Sequence, residues 1–283
     1  MTGTNYHTHS NFSDGSEPPQ TYINQSIAFG MTDLGFSDHA PMPFENTFSI
    51  QPGQIEAYCL EINKLKVIHK DNLNIFLGLE IDFIPGLMDD FGTFINQHKL
   101  DYCIGSVHLI GNGSEENLWF TDGPKRETYD DGLQIFYGGD IRKAVKAFYH
   151  QTNQMIGTQQ FDVIGHFDKV KMHNQNRYFT EDEKWYVDLV FETLDLIKKK
   201  GIIVEVNTRG MYKKRSESFF PSDFILRRMN ELNISIIISS DAHQPQEIQL
   251  LFAEALEVVK QSGYKSLMKL TKTGWNEVDL TIR

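Results

Sequence analysis

Asn5-Tyr6-His7-Thr8-His9-Ser10-Asn11-Phe12-Ser13-Asp14-Gly15 lies near the start of a chain of 283 residues. If residues 4–7 form a strand, side chains alternate in direction and His7 and His9 point to the same side. Two imidazoles on one side of a strand end make half of a divalent-metal site. Asp14 follows five residues later. Taken alone, His-x-His is a weak signal, and Asp14-Gly15 is an ordinary turn signature.

Working outward, the chain alternates strand and helix. Thr4–His7 reads as a short strand and Thr21–Phe29 as a helix ended by Gly30. Strand Thr32–Phe36 runs into Ser37-Asp38-His39. Gln51–Lys70 reads as a long amphipathic helix, with Ile55, Cys59, Ile62, Leu65 and Ile68 on one face. The apolar run Asn74–Leu79 is a third strand, followed by Glu80, and Phe91–Gln97 a short helix. Tyr102–Val107 is a fourth strand, followed by His108. Gly111–Gly139 reads as a long irregular stretch, and Asp140–Ile156 as a helix. Phe161–Ile164 is a fifth strand, followed by Gly165-His166. Glu181–Lys200 is a helix whose closing lysines suit its dipole. Strand Ile202–Val206 leads into Asn207-Thr208-Arg209-Gly210, then helix Ser222–Leu232. Strand Ser235–Ser239 leads into Ser240-Asp241-Ala242-His243, and Pro245–Ser262 is the last long helix. The tail, Tyr264–Arg283, is read as closing the barrel.

Seven strand–helix units with nearly continuous apolar strands imply a parallel sheet covered by helices. Without a Gly-rich phosphate loop they favour one α/β domain over 1–283, a (β/α) barrel. Functional groups of such barrels gather at the C-terminal strand ends. His7, His9, His39, Glu80, His108, His166, Asp241 and His243 all occupy those ends. Each has a bland reading: a loop histidine, a salt-bridge partner, a helix cap. Six of the ten histidines at strand ends is a pattern those readings do not produce together. Nitrogen and oxygen ligands suit zinc, iron or manganese alike.

Composition sets bounds. Hydrophobic residues make up 40% and charged residues 23%, as in an ordinary globular protein. No run of 18 apolar residues suggests a membrane span, and MTGTNYHTHS lacks the features of a secretory signal. Cys59 and Cys103 are the only cysteines, which fits a reducing, cytoplasmic setting. The formal charge of −11 makes nucleic acid a poor partner. Three divalent ions would offset more than half of it and create a local positive pocket for an anionic substrate. Oligomeric state is left open.

At this point the sequence resembles the PHP (polymerase and histidinol phosphatase) superfamily. The matching segments are His7-Thr8-His9, Ser37-Asp38-His39, Gly78-Leu79-Glu80, Ser106-Val107-His108, Gly165-His166-Phe167-Asp168 and Ser240-Asp241-Ala242-His243. Ser13-Asp14-Gly15 and Asp38-His39-Ala40-Pro41 resemble the stand-alone histidinol-phosphatase type. The resemblance implies a distorted seven-stranded (β/α) barrel and three divalent metal ions. His7, His9, Glu80 and Asp241 would hold the first and Glu80, His108 and His166 the second, with Glu80 bridging. Asp14, His39 and His243 would hold the third; some relatives carry histidine where Asp14 stands.

The implied reaction is hydrolysis of a small phosphate ester, L-histidinol phosphate, in histidine biosynthesis. Water activated by two metals would attack phosphorus in line. The resemblance suggests Asp241 as proton donor to the leaving group, with His243 second. Arg209 and Arg177 are candidates for binding phosphate, since a guanidinium grips it with two donors; Lys169 and Lys171 are weaker ones. Gly111–Gly139, with Trp119, Phe120 and Tyr129, is read as a lid over the organic part of the substrate. Glu45, in the loop Pro41–Phe48, is placed to meet a cationic amine. The alternatives are the same site acting on another phosphate ester or nucleotide, and a metal-binding protein without catalysis.

Overall fold

The computed structural model describes residues 3–111 and 113–280. One position of the 111–139 stretch and the last three of the tail lie outside the described residues. Strands β1 (Thr4–Asn5), β2 (Asp33–Phe36), β3 (Asn74–Asp82) and β4 (Tyr102–Ser106) come first, with helices α1 (Pro19–Ala28), α2 (Ile55–Ile68) and α3 (Phe91–His98) between them. A small hairpin, β5 (Leu109–Ile110) and β6 (Trp119–Phe120), precedes α4 (Arg126–Tyr137) and α5 (Ile141–Thr158). Then follow β7 (Val163–Ile164), α6 (Lys184–Lys200), β8 (Ile203–Asn207), α7 (Arg209–Tyr212), α8 (Asp223–Glu231), β9 (Ile236–Ser239) and α9 (Phe252–Gln261). A terminal hairpin, β10 (Ser266–Thr271) and β11 (Gly274–Asp279), ends the described chain.

Seven strands form one parallel sheet in the order β1-β2-β3-β4-β7-β8-β9. The sheet almost closes on itself: Thr8 bridges Ala242 in parallel, and His9 N–H donates to the Ala242 carbonyl at 2.8 Å. Sequence and structure thus agree on a seven-stranded barrel wrapped in helices. Its strands are buried on both faces, which is why they read as apolar runs.

Three local readings change, and the reading of the tail gains detail. Glu80 lies inside β3 rather than after it, because the strand continues through Ile81 and Asp82. The irregular stretch contains β6 and α4. Its helix carries two aspartates and Gly132, a poor intrinsic helix former; packing on Trp119 overrides that. The helix expected from Pro245 begins only at Phe252, because Leu251 adopts a left-handed conformation at φ 60°. Finally, the tail hairpin seals the end of the barrel opposite the histidines. Leu270, Met268 and Trp275 pack on Tyr6, Phe76, Tyr102, Val163, Ile203 and Ile237, mostly at strand starts.

Candidate metal centre and cavity

The loop after β1 is shaped by Asp38. Its buried carboxylate accepts from Ser10 N–H at 2.8 Å, Ser13 N–H at 3.2 Å and both serine hydroxyls. That explains serine at both positions and brings Asp14 back over His9. Gly15 completes the bend: a Cβ there would lie 2.1 Å from the His9 carbonyl oxygen. Asp241 sits at φ 51°, a conformation aspartate tolerates better than most side chains, in the turn out of β9.

The structure brings all nine sequence-derived ligand candidates to one rim. Glu80 is the centre. Its Oε2 lies 3.2 Å from His7 Nε2, 3.5 Å from His9 Nε2 and 3.2 Å from His39 Nδ1. Its Oε1 lies 3.1 Å from His166 Nε2 and 3.6 Å from His108 Nε2. Asp241 Oδ1 is 3.3 Å from His9 Nε2 and 3.8 Å from His7 Nε2. Asp14 Oδ1 is 3.2 Å from His243 Nε2 and 4.0 Å from His39 Nε2. These atoms fall into overlapping clusters in which ligand atoms lie within 4.8 Å of one another. His9 also belongs with Asp14, His39 and His243, and His39 also with Asp82 and His108.

The donor set fits divalent ions. His7 Nε2, both nitrogens of His9 and His39 Nδ1 are buried without a hydrogen-bond partner, a costly state unless a cation receives their lone pairs. The electrostatics agree. Burial opposes charge on His7, yet Glu205, Glu80 and Asp241 outweigh it and raise its pKa well above the usual imidazole value. His9, pressed by burial and by His243 and His39, is driven well below it. The carboxylates therefore demand positive charge that the imidazoles cannot all supply, and metal ions would supply it.

Two acidic residues that sequence reasoning missed orient the imidazoles. Glu205 Oε1 lies 2.5 Å from His7 Nδ1, and its Oε2 accepts from His166 N–H at 2.9 Å. Asp82 Oδ1 lies 2.7 Å from His108 Nδ1 and accepts its backbone N–H at 2.9 Å. Each carboxylate fixes the proton on Nδ1 and turns Nε2 toward the centre. Burial works against a charged His108, but Asp82, Asp122 and Glu80 raise its pKa to about 10. A signal for both was present: Glu205 interrupts an apolar strand, and Asp82 stands two residues after Glu80 on the same face.

Beside this centre is a cavity of about 190 Å³. Asp14, His39, Glu80, His108, Asp241 and His243 line its floor. Phe48, Phe120 and Pro124 form an apolar side, and Lys169, Arg209 and Arg215 bring positive charge. Arg209 Nη1 donates to the Asp241 carbonyl at 2.7 Å. Arg177 is not among the lining residues; Asp130 holds its guanidinium through two hydrogen bonds of 2.8 and 2.7 Å. Lys171 is also directed elsewhere, to Asp168 at 2.8 Å. Glu45 is exposed and outside the lining.

Within the 111–139 stretch, residues 119–123 and the buried face of α4 form a packed wall. Trp119 is buried against Tyr129, with ring centroids 4.9 Å apart. Thr121 N–H donates to the His108 carbonyl at 2.9 Å. Alternation along β6 turns Trp119 into the core and Phe120 toward the cavity.

A family model described as "PHP domain" matches residues 5–209. The chain is similar to a probable histidinol-phosphatase of Deinococcus radiodurans, 27% identical over 251 residues covering 88% of this chain and 89% of that protein. It is similar to the histidinol-phosphatase of Lactococcus lactis, 26% identical over 274 residues and 94% of each chain. Among solved structures, a putative histidinol phosphatase from Listeria monocytogenes superposes with TM-score 0.77 at 21% identity, covering 89% of this chain and 99% of that one. The histidinol phosphate phosphatase of Lactococcus lactis, complexed with zinc, L-histidinol and phosphate, gives 0.68 at 24% identity, covering 96% and 98%.

Proposed function

The chain belongs to the PHP domain family, and from that premise we propose that it is a metal-dependent phosphomonoesterase that hydrolyses L-histidinol phosphate to L-histidinol and phosphate. The observation that carries this reading is Glu80, whose two oxygens face two separate groups of imidazoles on the floor of a small cavity. The similarity to histidinol-phosphatases over nearly the whole chain supports the substrate.

His7, His9, Glu80 and Asp241 would hold a first divalent ion, Glu80, His108 and His166 a second, and Asp14, His39 and His243 a third. The ions are zinc, iron or manganese by donor type. When bound, such ions activate water and neutralise charge on phosphoryl oxygens. The chain's own groups do the rest. His7 and the Arg209 guanidinium, acting against the cost of burial, hold the Asp241 carboxyl well below the usual carboxylate range. Asp241 is the candidate group that carries a proton to the leaving alkoxide oxygen. His243 is the second candidate for that transfer. Arg209 braces Asp241 and lines the same cavity. Phe48 and Phe120, with ring centroids 5.7 Å apart, shield the organic part from water. The enzyme acts in the cytoplasm, where its two buried free cysteines stay reduced.

The deciding experiment is steady-state kinetics on histidinol phosphate beside a nucleoside monophosphate and an aryl phosphate, with elemental analysis of the same preparation. The expected result is a clear preference for histidinol phosphate in protein holding transition-metal ions. Equal turnover of all esters would leave the phosphoesterase and remove the substrate.

A further inference from the structure

Three cations line the cavity, and two are already engaged. The Lys169 ammonium lies 2.7 Å from Asp122 Oδ2 and 3.8 Å from Asp241 Oδ2. Arg209 Nη1 donates to the Asp241 carbonyl at 2.7 Å and stands 3.5 Å from Glu247 Oε2. Arg215 differs: among the described residues its guanidinium has no hydrogen-bond or ion-pair partner. The neighbouring acids are taken, Asp122 by Lys169 and Glu247 by Arg209 and Lys213.

The backbone at Arg215, by contrast, is pinned. Its N–H donates to the Gly210 carbonyl at 2.8 Å, Ser216 N–H reaches the same oxygen at 3.1 Å, and the preceding Lys214 turns the chain at φ 57°. The Arg215 carbonyl accepts from Gln175 Nε2 at 3.2 Å. A fixed turn thus presents a free planar cation at the edge of a cavity whose other side carries a metal-ligand cluster. An unpaired guanidinium held this way in a chain of formal charge −11 is an anion receptor.

We propose that Arg215 is the residue that docks the phosphoryl group, its fork donating to two terminal oxygens while the reacting face is turned to the ligand cluster. The assignment rests on the phosphomonoesterase reading above and deepens it. It also implies a selection. A monoester has three terminal oxygens, so one remains for the cluster after the fork takes two. A diester has only two, so the fork and the cluster compete for them. Arg215 therefore favours monoesters.

The test uses metal-loaded protein carrying Arg215→Ala and Arg215→Lys. Titration with inorganic phosphate should show a dissociation constant raised about tenfold or more for Arg215→Ala, as loss of a bidentate charged contact requires. The KM for histidinol phosphate should rise in step, with a smaller change in kcat and unchanged metal content. Arg215→Lys should recover part of the affinity, since it restores charge without the fork. The ratio of aryl phosphate monoester to diester turnover should fall in Arg215→Ala. Phosphate binding by Arg215→Ala equal to that of the unaltered protein overturns the proposal, as does absence of phosphate binding in the unaltered protein. If the unaltered protein leaves histidinol phosphate intact, the substrate reading falls while the phosphate titration still decides the role of Arg215.

Discussion

A buried carboxylate in an apolar strand must have a partner, and in this barrel three such carboxylates have the same kind. Glu80, Asp82 and Glu205 all face imidazoles. Glu80 reaches the nitrogens that point to the centre; Asp82 and Glu205 hold the nitrogens on the far side of the rings. The distinction is testable. Glu205 receives His7 Nδ1, the Ser239 hydroxyl and His166 N–H across its two oxygens. A glutamine has one acceptor oxygen, so Glu205→Gln must set its amide donor against another donor. Metal affinity, measured by competition with a chromogenic chelator, should fall roughly 10- to 100-fold, the usual cost of losing a carboxylate behind a ligand histidine. An unchanged affinity would show that Glu205 only fills space. For Arg209→Ala the expected outcome is a loss of at least about tenfold in kcat/KM with normal metal content. Normal kinetics would place Arg209 outside the reaction.

At the level of elements, the hairpin β5–β6 with α4 joins stability to substrate shape. Trp119 lies against Gly132 so closely that a Cβ there would stand 2.0 Å from Trp119 Cδ1. Its neighbour Phe120 forms part of the cavity. Trp119→Ala should cost about 3–5 kcal/mol of stability through the void it leaves, seen as a lower midpoint in thermal or urea unfolding. Because β6 is tethered to His108 through Thr121, the same variant should raise KM for histidinol phosphate. A variant with normal stability would mean that the segment is a detachable cover after all. The segment's composition pointed the other way, since two aspartates and a glycine weaken the helical pattern of α4. Its packing on Trp119 offsets that weakness.

Over the whole molecule, the two ends of the barrel do separate jobs. The terminal hairpin seals one end: Trp275 packs on Tyr6 with ring centroids 5.1 Å apart and hydrogen-bonds Asp162 at 3.1 Å. Trp275→Ala should lower stability by about 1–3 kcal/mol and leave KM and metal content unchanged. A shift in KM would show that the ends are coupled. The other end gathers carboxylates and imidazoles that need cations. Stripping the metal with a chelator should abolish turnover and lower the thermal midpoint. Ions present at about a thousand times their dissociation constant stabilise by about 4 kcal/mol, which is about 7 °C for a chain of 283 residues. A midpoint indifferent to the chelator would argue against a metal centre.

The sequence by itself determined the barrel and the rim. Period-two alternation, apolar strand runs and ligand-type residues at strand ends are local properties, so His7, His39, His108, His166 and Asp241 could be placed together before any coordinates. Tertiary structure decided which charges reach the cavity. Arg177 and Arg215 both lie in loops, yet one is held by Asp130 and the other lines the cavity with no side-chain partner among the described residues. The partner of a long, flexible side chain depends on which loops meet in space. Chain order does not encode that meeting, whereas the direction of a strand side chain follows from the backbone beneath it.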